Sequence, residues 1–471
     1  MAKVSRLTYL GYSKFMSAGR KLLFWTSLGF TVCALLIPLI TDASGTQTYI
    51  NLASFILIYT IGVGLLTAIT FWMNRLRAKA KSSWSAIALL PSKAMVVFMF
   101  GFGLFWYDFS TPRPHAILGE YSYSYALPTL RKDGWPVGEA ASEGIKTKVI
   151  KTIVERFVND PKFKWQHSFI LIKNNKVLVE EYFYEHTADT LHDWRSANKS
   201  ITSILVGIAL QQGFISGVND PISMYLPEYG ELFARAPRKA AITIKHMLTM
   251  QSGLDANDWD KSSPGNENRI YQSDGDWILK LFALQMINEP GTTFSYSSIG
   301  EIALRQAIVN ASGMPLDEFA KKYLFEPLGI QNYQWTHRLL NRSDVPYRVQ
   351  LTSRDFAKLG QLYLNQGTWE GEQIVSSDWV KASTTKHATT TDKRLGFPGY
   401  GYLWWKHDFW VEDELFEGFQ AQGNGGQFLF VFPKLNSIIV FTSRNFSNSR
   451  QINPLLITRD EIVPMLAATR R

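Results

Sequence analysis

An α/β fold, one sheet layer carrying a helical lobe, is expected for residues 151–471, behind a membrane region of about three transmembrane helices in residues 1–111. Three observations lead there. Strand-like runs crowd both ends of the later chain, helical patterns fill its middle, and the apolar excess of the whole sequence sits in its first hundred or so residues. Strands from both ends of a segment, with helices inserted between them, build one sheet plus a helical lobe.

Apolar residues make up 46% of the 471 and charged residues 19%. Residues 22–41 and 45–74 carry no charge and show no polar face. A bilayer core takes roughly 20 apolar residues as helix, so spans are expected at about 22–41 and 48–73. A third, at about 94–111, begins after Lys93, placed to snorkel at one face, and ends in the aromatic belt of Trp106, Tyr107 and Phe109. The first run is too long for the apolar core of a cleavable signal peptide, and no small-residue cleavage site leads into a folded domain.

The formal net charge of +9 comes with Lys3, Arg6, Lys14, Arg20, Lys21, Arg75, Arg77, Lys79, Lys81 and Lys93 flanking these apolar segments. Basic residues so placed are a topology signal and not a nucleic-acid footprint. The loop at 42–47 has no Lys or Arg, which puts both basic regions on the cytoplasmic side. Three spans then place the rest of the chain outside, on the periplasmic face of a bacterial inner membrane. If the third segment does not cross, the remainder is cytoplasmic.

Residues 112–150 hold Pro112, Pro114, Pro128, Gly134 and Pro136 with weak periodicity, and read as a linker leading into the domain at 151–471. Residues 168–172 and 176–182 are two β-rich runs separated by Lys173-Asn174-Asn175, a hairpin. Residues 200–211 are helical, with Ile201, Ile204, Leu205 and Ile208 on one face. Further helices are expected at 243–250, 300–312, 315–323, 353–365 and 377–383. Strands return at 400–406, 415–421, 427–433 and 437–443, before a final helix near 454–468. Oligomeric state is left open.

Several chemistries are excluded or unsupported. Cys33 is the single cysteine, so no intrachain disulfide or cysteine metal site is expected. The eight histidines show no ligand spacing such as H-x-x-x-H, and no metal is expected. The G-x-G pairs lack a third glycine at dinucleotide spacing, so no cofactor is expected.

Arg195-Ser196-Ala197-Asn198-Lys199-Ser200 carries the candidate nucleophile. Ser196 sits where an extended approach meets a helix, and Lys199 follows one turn later on the same face. Serine is a poor nucleophile without an adjacent base, and a lysine desolvated in a cleft can be neutral enough to serve. The helix N-terminus presents N–H groups to developing negative charge. By spacing alone the pattern is equally a helix cap followed by an exposed lysine. Ser383-Thr384-Thr385-Lys386 has the same spacing and reads as solvated surface.

Two further elements add context. Pro290-Gly291-Thr292-Thr293-Phe294-Ser295-Tyr296-Ser297-Ser298 is a tight turn exposing Tyr296, a phenol able to relay protons beside an ammonium. Gln422-Gly423-Asn424-Gly425-Gly426-Gln427 opens a strand, and its glycines let a substrate carbonyl approach the backbone. In isolation this second element is a plain hairpin turn. A strand-edge N–H there, paired with that of Ser196, makes a two-donor oxyanion hole.

In order and spacing the three elements resemble the serine β-lactamase and penicillin-binding-protein superfamily, marked by S-x-x-K, Y-x-N or S-x-N, and K-T-G. The resemblance runs over about residues 130–465 and leans toward the class C-related branch with its esterases and 6-aminohexanoate-dimer hydrolase. It implies a β-lactamase-like fold, an antiparallel sheet flanked by helices with an all-helical lobe. It also implies an acyl-enzyme hydrolase with Ser196 as nucleophile, Lys199 as base and Tyr296 as proton relay. The oxyanion donors it implies are the N–H groups of Ser196 and Asn424, with Ser298, Gln422, Gly423 and Gly425 against the substrate.

Two positions depart from the pattern. Ala421-Gln422-Gly423 has no lysine where one is expected, and Ser298 stands in place of asparagine. The missing lysine normally meets a carboxylate, which favours an uncharged ester or amide over penicillin. A small or peptide-like acyl substrate and a lipid bilayer are the expected partners. The alternatives are a β-lactamase or D-alanyl-D-alanine carboxypeptidase, and a penicillin-binding-like sensor that acylates without turnover.

Overall fold

A computed structural model describes residues 121–336, 346, 348–390 and 398–470. The three expected spans lie outside the described residues, and no helix among those described is long and apolar enough to cross a membrane. The described residues belong to one compact unit, residues 113–471. The segment read as a linker packs onto that unit from residue 121 onward: Tyr123 and Trp135 are buried, and Val137 bridges Val177. It runs into a helix that the sequence reading did not place, α1 (Thr147–Asn159), whose Ile150, Ile153, Val154 and Phe157 form a buried stripe at helical spacing.

Strands β1 (Gln166–Lys173) and β2 (Lys176–Tyr182) make the expected hairpin. Asn174 and Asn175 both adopt left-handed φ, 49° and 61°. A two-residue turn of that hand matches the right-handed twist of the strands it joins, and asparagine tolerates the conformation. After β3 (His192–Asp193) comes α2 (Asn198–Gln211), buried on every side from Asn198 to Ala209. The apolar face seen in the sequence is therefore only part of its packing surface. Helix α3 (Ser298–Ser312) lies against α2, and the two are tied by buried Thr202, Glu301 and Arg305, which bond to one another.

Strands β4 (Tyr333–Thr336) and β5 (Arg348–Leu351) join β3 in a three-stranded sheet ordered β3-β5-β4. Helix α4 (Ser353–Leu364) follows, then the small hairpin β6 (Thr368–Trp369) and β7 (Glu372–Gln373). The last strands are β8 (Ala388–Thr389), β9 (Gly399–Tyr400), β10 (Trp405–Val411), β11 (Glu414–Gly423), β12 (Gln427–Phe432) and β13 (Ser437–Ser443). The run expected as one strand at 400–406 divides between β9 and β10, because Leu403 turns with a φ of 60°. The final helix at 454–468 likewise divides, into Asn453–Ile457 and Val463–Ala468, around a π-helical turn at Thr458–Ile462.

The main sheet is ordered β2-β1-β13-β12-β11-β10-β9-β8, with every pairing antiparallel. It is built from both ends of the domain, since β1 pairs with β13. Side chains alternate across a strand, and β12 shows the result. Phe428, Phe430 and Phe432 pack with α1 and the C-terminal helices, while Leu429 and Val431 pack with α2 and the helical lobe. Both faces are covered, so after Gln427 the strand reads Phe-Leu-Phe-Val-Phe.

Candidate active site

Ser196 lies in a 3₁₀ turn, Arg195–Ala197, that feeds directly into α2. Arg195 takes a left-handed φ of 53°, a conformation that costs an L-residue about 1–2 kcal/mol. Surrounding bonds hold it there. The Arg195 N–H donates to Asp193 Oδ1 at 2.9 Å, and Asn198 Nδ2 donates to Arg195 O at 3.1 Å. Asn198 Oδ1 in turn accepts the Val349 N–H of β5 at 3.3 Å. Asn198 thus pins the Ser196 turn to the three-stranded sheet, a role its sequence position did not announce.

Lys199 is buried one helical turn on. Its Nζ donates to Ser196 Oγ at 3.1 Å and to Ser298 Oγ at 3.0 Å, and it stands 5.0 Å from the centre of the Tyr296 ring. Ser196 and Lys199 both draw the pKa of the Tyr296 phenol down, against its burial. The sequence motif had Tyr296 exposed on a turn. The structure corrects this, for the ring is 6% exposed and stacks on Trp259 and Trp405, with centroids 5.4 Å and 5.7 Å away. Tyr400 meets Trp405 edge-on at 5.0 Å. Trp259 keeps 39% of its surface exposed, so an aromatic wall borders the phenol and reaches solvent.

Asp258 is the group that sequence reading missed. Its Oδ2 accepts the Ser298 N–H at 2.7 Å, its Oδ1 accepts the Glu267 N–H at 2.9 Å, and its own N–H donates to Tyr296 O at 2.8 Å. Burial and the nearby Glu267 carboxylate push its pKa up to about 6, against the opposing pull of Lys199 and Ser298. Nothing in the Asn257-Asp258-Trp259-Asp260 stretch distinguishes Asp258 from an ordinary polar loop residue.

Lys199 departs from the expected neutral amine. Burial pulls its pKa down, but Tyr296, Glu301, Glu267 and Asp258 together outweigh burial and hold it above the ordinary lysine value. Burial raises the Tyr296 phenol, more than Lys199 and Ser196 lower it. Lys199 therefore rests as an ammonium.

Strand β11 ends against the nucleophile turn. A Cβ at Gly423 would sit 2.2 Å from Trp194 O and 3.2 Å from Arg195 Cβ, so only glycine lets the two segments approach this closely. Gln422 precedes it in register with Phe428. Asn424 binds back through its side chain to Ser447, Oδ1 accepting the Ser447 N–H at 2.9 Å. Gly425 is turned toward Asn445 and Phe446: its carbonyl accepts the Asn445 N–H at 2.9 Å, and a Cβ would meet the Phe446 ring at 2.5 Å. The second S-x-x-K run is also corrected, since Ser383 is fully buried and bonds to the Tyr363 hydroxyl at 3.2 Å while Lys386 is exposed.

A third cluster escaped the sequence reading. His167 on β1, His186 after β2 and His192 on β3 come together with ring nitrogens all within 4.8 Å of one another. They belong to three segments joined only by folding, so no local spacing announced them.

The beta-lactamase family model matches residues 167–459. The 6-aminohexanoate-dimer hydrolase of Paenarthrobacter ureafaciens is 24% identical over 288 residues, covering 58% of this chain and 71% of its own. An uncharacterized protein of Alkalihalophilus pseudofirmus is 26% identical over 312 residues, covering 62% and 88%. Among solved structures, a family VIII carboxylesterase superposes with a TM-score of 0.51 at 19% identity, covering 71% of this chain and 98% of its own.

Proposed function

The chain belongs to the beta-lactamase family of serine hydrolases, and from that premise we propose that it cleaves an ester or amide through an acyl-enzyme on Ser196. The observation that carries the reading is the contact of Ser196 Oγ with Lys199 Nζ at 3.1 Å, inside a buried cluster with Ser298 and Tyr296. An activated serine needs a base within hydrogen-bond reach and a group orienting that base. Lys199 is the base, Ser298 orients it, and Tyr296 relays the proton to the leaving group. The N–H groups of Ser196 and Asn424 meet the developing oxyanion, and Gln422, Gly423 and Gly425 shape the strand side of the cleft.

The resting ammonium has to lose its proton before Ser196 can give up its own. Desolvation is the largest single influence on Lys199 and acts in that direction. An acyl group that closes the cleft removes more water and strengthens it. The wall of Trp259, Tyr400 and Trp405 suits an apolar acyl or leaving group. No lysine stands on β11 to greet a carboxylate, which supports a neutral ester or amide over a penicillin. The named relatives point the same way, one acting on an amide dimer and another on carboxylic esters. Charge-free apolar runs in residues 1–111 support a multi-pass membrane anchor, with basic flanks orienting the hydrolase outward.

The test uses the full-length chain in detergent, as wild type and as Ser196→Ala, with a short-chain p-nitrophenyl ester and a chromogenic cephalosporin. The expected result is ester turnover in the wild type and a loss on the order of 10⁶-fold in the variant, as when a catalytic serine is removed. Absence of turnover in the wild type, with no acyl adduct on Ser196 by intact mass, overturns the assignment and leaves a binding module.

A further inference from the structure

We propose that His167, His186 and His192 form a binding site for a divalent transition metal of the zinc class. The site lies beside the catalytic cleft, and its existence does not depend on which bond the enzyme cleaves. One ring nitrogen from each histidine lies within 4.8 Å of the other two. Neutral imidazoles select zinc, copper, nickel or iron over magnesium and calcium, which take oxygen ligands. Three histidines with a fourth position open to water are a common zinc set.

Two of the three rings present identifiable lone pairs or free edges. His167 is 6% exposed, and its Nδ1 is buried with no hydrogen-bond partner. Leaving a buried nitrogen without a partner is costly, and a metal ion would satisfy it. His192 Nε2 lies 2.7 Å from Gln427 Oε1. That oxygen also accepts the Ser443 N–H at 3.0 Å, while Gln427 Nε2 donates to Ser443 O and Asn424 O. The amide orientation is therefore fixed, Gln427 Oε1 is an acceptor, and the proton belongs on His192 Nε2. His192 Nδ1 is left as the lone pair. An imidazole that donates one N–H to a carbonyl while its other nitrogen faces a metal is the usual outer-shell arrangement around zinc.

Ligation requires a local adjustment. Zinc–nitrogen bonds of about 2.0–2.1 Å in a tetrahedron bring donors to roughly 3.4 Å apart, so the widest pair closes by up to about 1.4 Å. The His167 and His186 rings stack at 3.8 Å with planes 20° apart, and the metal must lie near the plane of each, so they fan open. His186 is the ring placed to move, being partly exposed on the turn after β2, whereas His167 and His192 are fixed on strands. Arg444 and Arg195 oppose a cation here, and Glu185 and Asp193 favour one.

The connection through Gln427 gives the metal a consequence. Gln427 holds the carbonyl of Asn424, and β3 leads through Arg195 to Ser196. A bound ion fixes both approaches to the nucleophile from one point.

The experiment strips the full-length protein with chelator and titrates it with Zn²⁺ alone by calorimetry, then with Co²⁺ for its visible absorption. Wild type is expected to take one equivalent of Zn²⁺ and to give the intense bands of a tetrahedral Co²⁺ complex. His186→Ala, a change at a partly exposed turn, is expected to lose binding by at least ten-fold while keeping the metal-free circular dichroism of the wild type. His387→Ala, outside the cluster, is expected to bind as wild type does. Undiminished binding in His186→Ala, or no stoichiometric binding in the wild type, overturns the proposal and leaves the three rings as a packing cluster.

Discussion

At the residue scale, Asp258 joins Tyr296, Glu301 and Glu267 in holding the Lys199 pKa up. Above a pH of about 6 its carboxylate is ionised, and that negative charge stabilises the Lys199 ammonium. Catalysis requires Lys199 to shed a proton, so kcat/KM rises with pH as the ammonium titrates. Asp258→Asn removes the charge and lowers the lysine pKa, and the rising limb is expected to move to lower pH by less than about one unit. Stopped-flow ester hydrolysis across pH, with circular dichroism as a fold control, reads this directly. A limb that stays in place or moves upward removes Asp258 from the proton economy of the site. That Ser196, Lys199 and Tyr296 come together was legible in the sequence because they sit in short motifs whose spacing is imposed by one helical turn or one tight turn. Asp258, Trp259 and Glu267 were not, because a loop brings them to Lys199 only after the lobe has folded. The charge state of Lys199 was misjudged for the same reason. Burial is written in the local sequence, but the acids that outweigh it come from α3 and that loop.

At the element scale, the approach of β11 to the nucleophile turn rests on one missing side chain. Gly423→Ala places a methyl 2.2 Å from Trp194 O, which forces the strand and the turn apart. A displacement of about 1 Å at a catalytic group can cost ~10²-fold in rate, so a fall of that order in kcat is expected with the fold retained. Gly230→Ala, where an added Cβ meets nothing within 4 Å, is expected to leave kinetics unchanged. Equal kinetics in both variants would separate β11 from catalysis. The long strands were readable from runs such as Phe428 to Phe432, since a sheet covered on both faces leaves no polar position. The break between β9 and β10 was not, because Gly401 packs so closely that a Cβ would stand 2.1 Å from Ser383 O, a tertiary demand. Helix α1 carried a clear apolar stripe, but the prolines and glycine before it drew the linker reading through to residue 150.

At the scale of the whole molecule, the apolar runs in residues 1–111 predict where the enzyme works. Full-length protein expressed in a Gram-negative host is expected to sediment with membranes and resist carbonate extraction. In spheroplasts its hydrolase domain is expected to be open to added protease. Protection until lysis would place the domain on the inner side, the outcome if the third apolar run does not cross. The centre of the main sheet carries a consequence in time. Gln166 is paired with Ser443, so the strand that precedes Ser196 waits for a strand made much later in synthesis. Contacts this distant along a chain form slowly and late, and chains emerge from the ribosome N-terminus first. Ser196 is therefore translated long before β11 and β13 exist beside it, and each new molecule carries only half of this site until those two strands leave the ribosome.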